Sequence, residues 1–66
     1  MIIKFNKKIY RQSALKKAIK NFQRLADFSL KYQGDYFLIK IEKINPETKK
    51  TIKDEFLNHV LSLTAR

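Results

Sequence analysis

Residues 27–44, DFSLKYQGDYFLIKIEKI, decide the fold. The stretch reads as two strands joined by Gly34-Asp35, and Gly34 is the only glycine in the chain. A two-residue hairpin turn needs positive φ, which glycine adopts without a Cβ clash. Setting Gln33 opposite Tyr36 places Tyr32 across from Phe37, Leu30 from Ile39 and Phe28 from Ile41. Side chains alternate along a strand with period two, so all of these share one face. A slip by one residue would expose three of them, so turn and pattern specify the same register. The hairpin defines a core and does not by itself assign a function.

On the N-terminal side, residues 2–9, IIKFNKKI, read as a first strand. Ile3 and Phe5 share one face, Lys4 and Asn6 the other, and Lys7-Lys8 break the alternation and mark its end. Ser13 is placed to cap a helix from Ala14 to Leu25. Leu15, Ala18, Ile19, Phe22 and Leu25 recur at helical spacing as one apolar stripe, with Lys16, Lys17, Lys20 and Arg24 on the solvent side. The change to the next strand is abrupt, around Ala26-Asp27.

On the C-terminal side, Asn45-Pro46-Glu47-Thr48 suits a type I turn, with proline in its second position. Residues 49–52 then read in either of two ways. They form a short fourth edge strand, the favoured reading, or Thr51 with Asp54 three residues on starts a helix at once. From Lys53 the spacing is helical: Phe56, Val60 and Leu63 make a stripe, with Leu57 and Leu61 beside it. The helix is expected to run almost to Arg66, where a cation suits the helix dipole. The order β-α-β-β-(β)-α predicts a small α+β two-layer sandwich, with both amphipathic helices on one face of the sheet. The first strand is compatible with pairing to either arm of the hairpin. The 66 residues make one domain, near the lower limit for a self-sufficient core, without repeat, linker or low-complexity segment.

With no cysteine, no disulfide and no thiolate metal site can form, in keeping with a reducing compartment. No apolar run approaches the roughly 18 residues of a membrane span, and the N-terminus lacks the apolar region of a signal peptide. The expectation is a cytoplasmic protein with no membrane partner. Net charge is +9 and uneven: residues 1–26 hold eight bases and no acid, residues 27–66 seven bases and six acids. An asymmetry of that size points to an anionic partner, nucleic acid or an acidic protein, through Lys4, Lys7, Lys8, Lys16, Lys17, Lys20 and Arg24. A competing origin is compositional, because twelve of the fifteen bases are lysine in a chain rich in Ile and Asn.

The face of the hairpin opposite the core carries Ser29, Lys31, Gln33, Tyr36, Leu38, Lys40 and Glu42. Lys31, Tyr36, Leu38 and Lys40 make it a candidate partner-binding surface, against the ordinary occurrence of single exposed apolar groups. Asp27 opposite Glu42 is a like-charge pair, which calls for fraying or a nearby lysine. For stacking on bases, Tyr36 is available and Tyr10 is a second candidate, since Phe28, Tyr32 and Phe37 belong to the core face. No RRM-type, KH-type or zinc-finger signature accompanies them.

Catalysis finds little support. His59 sits one helical turn from Glu55 but lacks a nucleophile or second ligand, and Ser13, Ser29 and Ser62 show no elbow-type context. Asp54 and Glu55, adjacent on a helix, point about 100° apart and fit a helix N-terminus better than an acid/base pair. The expectation is a non-enzyme without cofactor or metal.

The opening IKFNKKIYRQSALKKAIKNF, a strand followed by a helix with Tyr10 at the joint, and the closing EFLNHVLSLTAR carry a resemblance. The chain resembles the small D-component proteins of His-Xaa-Ser peptide systems, the HxsD family. Phe56-Leu57-Asn58 is similar to that family's Leu-Leu-Asn segment. His59-Val60 departs from the Asp-Tyr that usually follows. The resemblance implies an accessory factor beside a radical-SAM enzyme and a ribosomally made precursor peptide. Precursor peptide, radical-SAM enzyme or both would be its partners, with the iron–sulfur chemistry in the enzyme and no cofactor here. The alternatives are a small basic nucleic-acid-binding protein and an assembly subunit that homodimerises through a sheet edge or the second helix.

Overall fold

In the computed structural model, which describes residues 1–65, the hairpin's second arm becomes the centre of the sheet. The elements are β1 (Ile2–Asn6), α1 (Gln12–Phe22), β2 (Asp27–Gln33), β3 (Tyr36–Glu42) and α2 (Ile52–Thr64). The sheet has the order β1-β3-β2, with both neighbours antiparallel to β3. Of the two hairpin arms, β3 is the better centre. Its helix-side residues Phe37, Ile39 and Ile41 are apolar and buried, and its outer face adds Tyr36 and Leu38. A strand paired on both sides has no backbone group left for water, so the most apolar strand belongs there.

The hairpin register is the one the sequence specifies, Gln33 opposite Tyr36 through to Asp27 opposite Glu42. Gly34 has φ +55° and Asp35 does not share the positive φ, the pattern of a type II′ turn. Lysines answer the like-charge pair at the far end. Lys43 lies 3.9 Å from Asp27 and Lys40 lies 3.5 Å from Glu42.

Both helices cover one face of the sheet. Phe56 of α2 is fully buried, its ring 5.1 Å from Phe28, 5.4 Å from Phe22 and 6.2 Å from Phe5. Ile3, Phe5, Leu15, Ala18, Ala26, Phe37, Ile39, Ile41, Ile52 and Val60 pack with it in the buried cluster. The helices run antiparallel: Asn21 near the end of α1 meets His59, while the start of α1 approaches Leu63.

Several local expectations are corrected. β1 ends at Asn6, not at residue 9, because the Asn6 carbonyl accepts the Ile9 and Tyr10 N–H groups and turns the chain. That early turn starts α1 at Gln12, so Ser13 is inside the helix and Arg11 holds the cap position without a side-chain bond. α1 stops at Phe22. Leu25 is packed from a turn in which its N–H donates to the Phe22 carbonyl at 2.9 Å.

The fourth strand over residues 49–52 does not form. The Thr48 N–H donates to the Asn45 carbonyl at 3.0 Å, closing the turn expected at Pro46. The Thr51 and Ile52 N–H groups then both donate to the Thr48 carbonyl, so the chain continues in helical turns. Burial explains the choice. Ile52 is fully buried as the first residue of α2, whereas Lys49 and Lys50 are exposed and offer a strand no inner face. Asp54 and Glu55 fall in the first turn of α2, where acids complement the dipole. The expectation for Arg66 lies outside the described residues. Among the described residues no helix is long and apolar enough to cross a membrane.

Candidate functional site

The helices leave the other face of the sheet bare. Across it, Lys4, Leu38 and Lys31 form one row; Ile2, Lys40 and Ser29 form a second; Asn6, Tyr36 and Gln33 form a third. Lys31, Tyr36 and Lys40 are exposed and Leu38 is half-buried between its neighbours. The strand pattern puts them there: with Phe37, Ile39 and Ile41 turned to the helices, the intervening residues must face out. The Lys4 ammonium lies 5.8 Å from the centre of the Tyr36 ring, close enough for a cation–π attraction. Strand order brings Lys4 into this site; from the sequence it belonged only to the basic first third.

Charge on this face is zoned. Asp27 and Glu42 occupy one end, beside Lys43 and Lys40. Lys4 and Lys31 flank Leu38 toward the turn end, and among the described residues neither is ion-paired. That end offers two solvated cations, an aliphatic side chain and an aromatic ring within one surface.

The seven bases of the first third are not gathered together. Lys4 belongs to the outer sheet face. The Lys7 ammonium lies over the Tyr32 and Phe37 rings, at 5.4 and 5.5 Å, on the rim of the helix-covered face. Lys8 follows in the turn, its backbone N–H held by Asn6 Oδ1 at 2.8 Å. Lys16, Lys17 and Lys20 are exposed on the solvent side of α1, across the sandwich from Lys4, while Arg24, expected on the same helix, is exposed in the turn that follows its end at Phe22.

Aromatic roles are also redistributed. Tyr32 is 55% exposed, contrary to its assignment to the core: it lies near the turn end of the edge strand β2, where it meets only the start of α1. Its hydroxyl accepts from Gln12 Nε2 of α1. Tyr10 is half-buried with its ring edge-on to Phe5 at 4.9 Å, so it is not free to stack on a base.

His59 does not pair with Glu55. The Asn21 side-chain amide donates to its Nε2 at 2.9 Å, for the imidazole in its Nδ1–H tautomer, and the ring leans on Phe22 at 5.3 Å. This contact joins the helices, and the neighbouring Ser62 hydroxyl donates to the His59 backbone carbonyl at 2.7 Å, so it is engaged with the main chain and not with the imidazole. Among the described residues no three His, Asp or Glu side chains gather into a group able to hold a metal ion. Shallow clefts occur beside Arg24, Asp27 and Lys43, and between Arg11, Lys17 and Leu63. Comparison with protein-family models, with curated proteins and with solved structures finds no match for this chain.

Proposed function

We propose that this protein is a non-catalytic accessory module that binds a peptide or a partner enzyme. One observation carries the reading: the sheet face away from the helices is bare, and Leu38 lies on it between Lys4 and Lys31, neither ion-paired among the described residues, with Tyr36 beside them. Such a surface combines apolar area with cationic steering toward an acidic partner. The resemblance to the HxsD family extends the proposal to a cytoplasmic, radical-SAM-linked peptide maturation system. Precursor peptide or radical-SAM enzyme would be the partner, and the modifying chemistry would reside in that enzyme.

The test is a titration of the protein with each of those partners, followed by fluorescence anisotropy. A Leu38→Asp, Tyr36→Ala double variant is expected to weaken binding by about tenfold or more, since truncating central contacts costs roughly 1–2 kcal/mol or more. Undiminished binding by the folded variant removes the outer face from the proposal.

A second reading has its own observation. The exposed bases Lys16, Lys17 and Lys20 on α1, with Arg24 in the turn after it, suit a polyanion, which makes nucleic acid the alternative partner. Affinity for a duplex that falls steeply with salt would favour it, and no binding at low salt would end it.

A further inference from the structure

β1 is an edge strand with an open backbone row. Met1 and Ile41 exchange both backbone hydrogen bonds, at 3.1 and 2.8 Å, and the Lys7 N–H donates to the Asp35 carbonyl at 2.9 Å. Odd-numbered residues of β1 therefore turn their backbone groups toward β3. In an antiparallel ladder the intervening residues aim theirs the other way. Ile2 and Lys4 thus present N–H and C=O outward, and Asn6 adds its N–H. The Asn6 carbonyl is taken by Ile9 and Tyr10, which closes the row at that end. No backbone group among the described residues pairs with this row.

The surroundings of the row are apolar and basic. Met1, Ile2 and Ile9, 46%, 63% and 60% exposed, all belong to β1 or to the segments flanking it. Leu57 and Leu61 of α2 add to them. His59 marks the side of α2 that faces α1, and at 100° per residue both leucines lie nearly opposite it. α1 is tied to β2 through Gln12–Tyr32 and Phe22–Phe28, so the far flank of α2 lies toward β1. There Leu61 is 48% exposed. Lys4, Lys7, Lys8 and Arg11 occupy the same segment with no acid among them, and none is ion-paired among the described residues.

We propose that the open edge of β1 takes up an acidic, extended segment of a partner protein as a fourth strand. Backbone hydrogen bonds to Ile2, Lys4 and Asn6 would hold the segment, as in other strand-addition complexes. Its residue opposite Lys4 would share the outer face and be Asp or Glu. Its alternate residues would turn inward, toward Leu57 and Leu61, and be apolar. A second copy of this chain fits poorly: full antiparallel overlap of two β1 strands sets Lys4 against Lys4, and edge lysines guard against such pairing. The β2 edge is less suited, carrying Asp27 against a single lysine, Lys31. The proposal rests on the peptide-binding reading above and specifies where the segment lies and what it is made of.

The experiment uses the full chain and a synthetic peptide of alternating glutamate and valine. Two further versions carry backbone N-methyl groups, on the glutamate amides or on the valine amides. Binding is read by fluorescence anisotropy and by hydrogen exchange of single amides. The proposal expects the unmodified peptide to slow exchange at Ile2 and Lys4 by about tenfold or more. It expects one methylated version to lose binding and the other to keep it, because an added strand turns alternate N–H groups to its partner. Lys4→Glu, at an exposed site, should weaken the glutamate peptide and favour its lysine counterpart. Binding with unchanged β1 amides and equal affinity of both methylated peptides overturns the edge site while leaving a peptide site on the outer face standing. Absence of binding by the peptide overturns the edge proposal, and the titration with the partner enzyme decides the broader reading separately. β1 protection that rises with protein concentration alone, or that single-stranded oligothymidylate produces in place of the peptide, also overturns it.

Discussion

Asn21 Nδ2 lies 2.9 Å from His59 Nε2, fastening the last turn of α1 to the middle of α2. The bond is at the surface, so its contribution should be modest, about 1 kcal/mol. Asn21→Ala is expected to lower unfolding free energy by about 0.5–1 kcal/mol. His59→Ala should cost slightly more, since it also removes the ring packed on Phe22. Urea unfolding of both single variants and the double variant gives the coupling directly. A coupling near zero would mean that the bond adds nothing to stability.

Phe56 is the aromatic centre of the core, touching rings from β1, α1 and β2. Phe56→Ala is expected to cost about 3–5 kcal/mol, most of what a domain of this size has. The cooperative thermal transition seen by circular dichroism should disappear. Leu61→Ser, on the exposed flank of the same helix, should change stability by less than about 0.5 kcal/mol.

Two positions hold left-handed backbone, Gly34 at φ +55° and Lys43 at φ +50°. A Cβ at Gly34 meets nothing within 4 Å, so Gly34→Ala should cost only the backbone penalty, about 1–2 kcal/mol. Gly34→Asn should cost less, because Asn tolerates this region. Lys43→Gly should stabilise by about 0.5 kcal/mol, the relief of strain exceeding the entropy that glycine adds to the unfolded chain. The exposed Lys43–Asp27 pair is too solvated to reverse that sign. Thermal melts of the three variants check the order.

The bases of α1 and Lys4 of β1 lie on opposite sides of the sandwich, so charge reversal can separate them. Lys16→Glu, Lys17→Glu, Lys20→Glu together should sharply weaken any non-specific binding to a DNA duplex and reduce its salt slope by about 0.9 for each phosphate no longer neutralised. Peptide binding on the sheet should change by less than about threefold, through weakened long-range steering alone. Loss of peptide binding in the triple variant would place the peptide on α1.

The sequence carried the candidate face only in part. Lys31, Tyr36, Leu38 and Lys40 were legible as a surface because the hairpin register is local: one glycine and a period-two pattern leave a single pairing. Lys4 was not legible as their neighbour. Its strand fits either arm of the hairpin by pattern, and pairing between segments so distant along the chain is decided by competition for the whole core. Tyr32 shows the converse error. Its position in the alternation is that of a core residue, but alternation gives a face and not how far the helices extend over it.

By itself the sequence determined the hairpin, its register, the apolar stripes of both helices and the basic character of the first third. These depend on neighbours within a few residues, where turn geometry and side-chain periodicity act. Only the tertiary structure decided the order β1-β3-β2, the start of α2 at Ile52 in place of a fourth strand, and the open edge at Ile2 and Lys4. Each of those follows from which apolar side chains can be buried together, Ile52 beneath the sheet and β3 at its centre. That is a property of the assembled core and not of any one stretch.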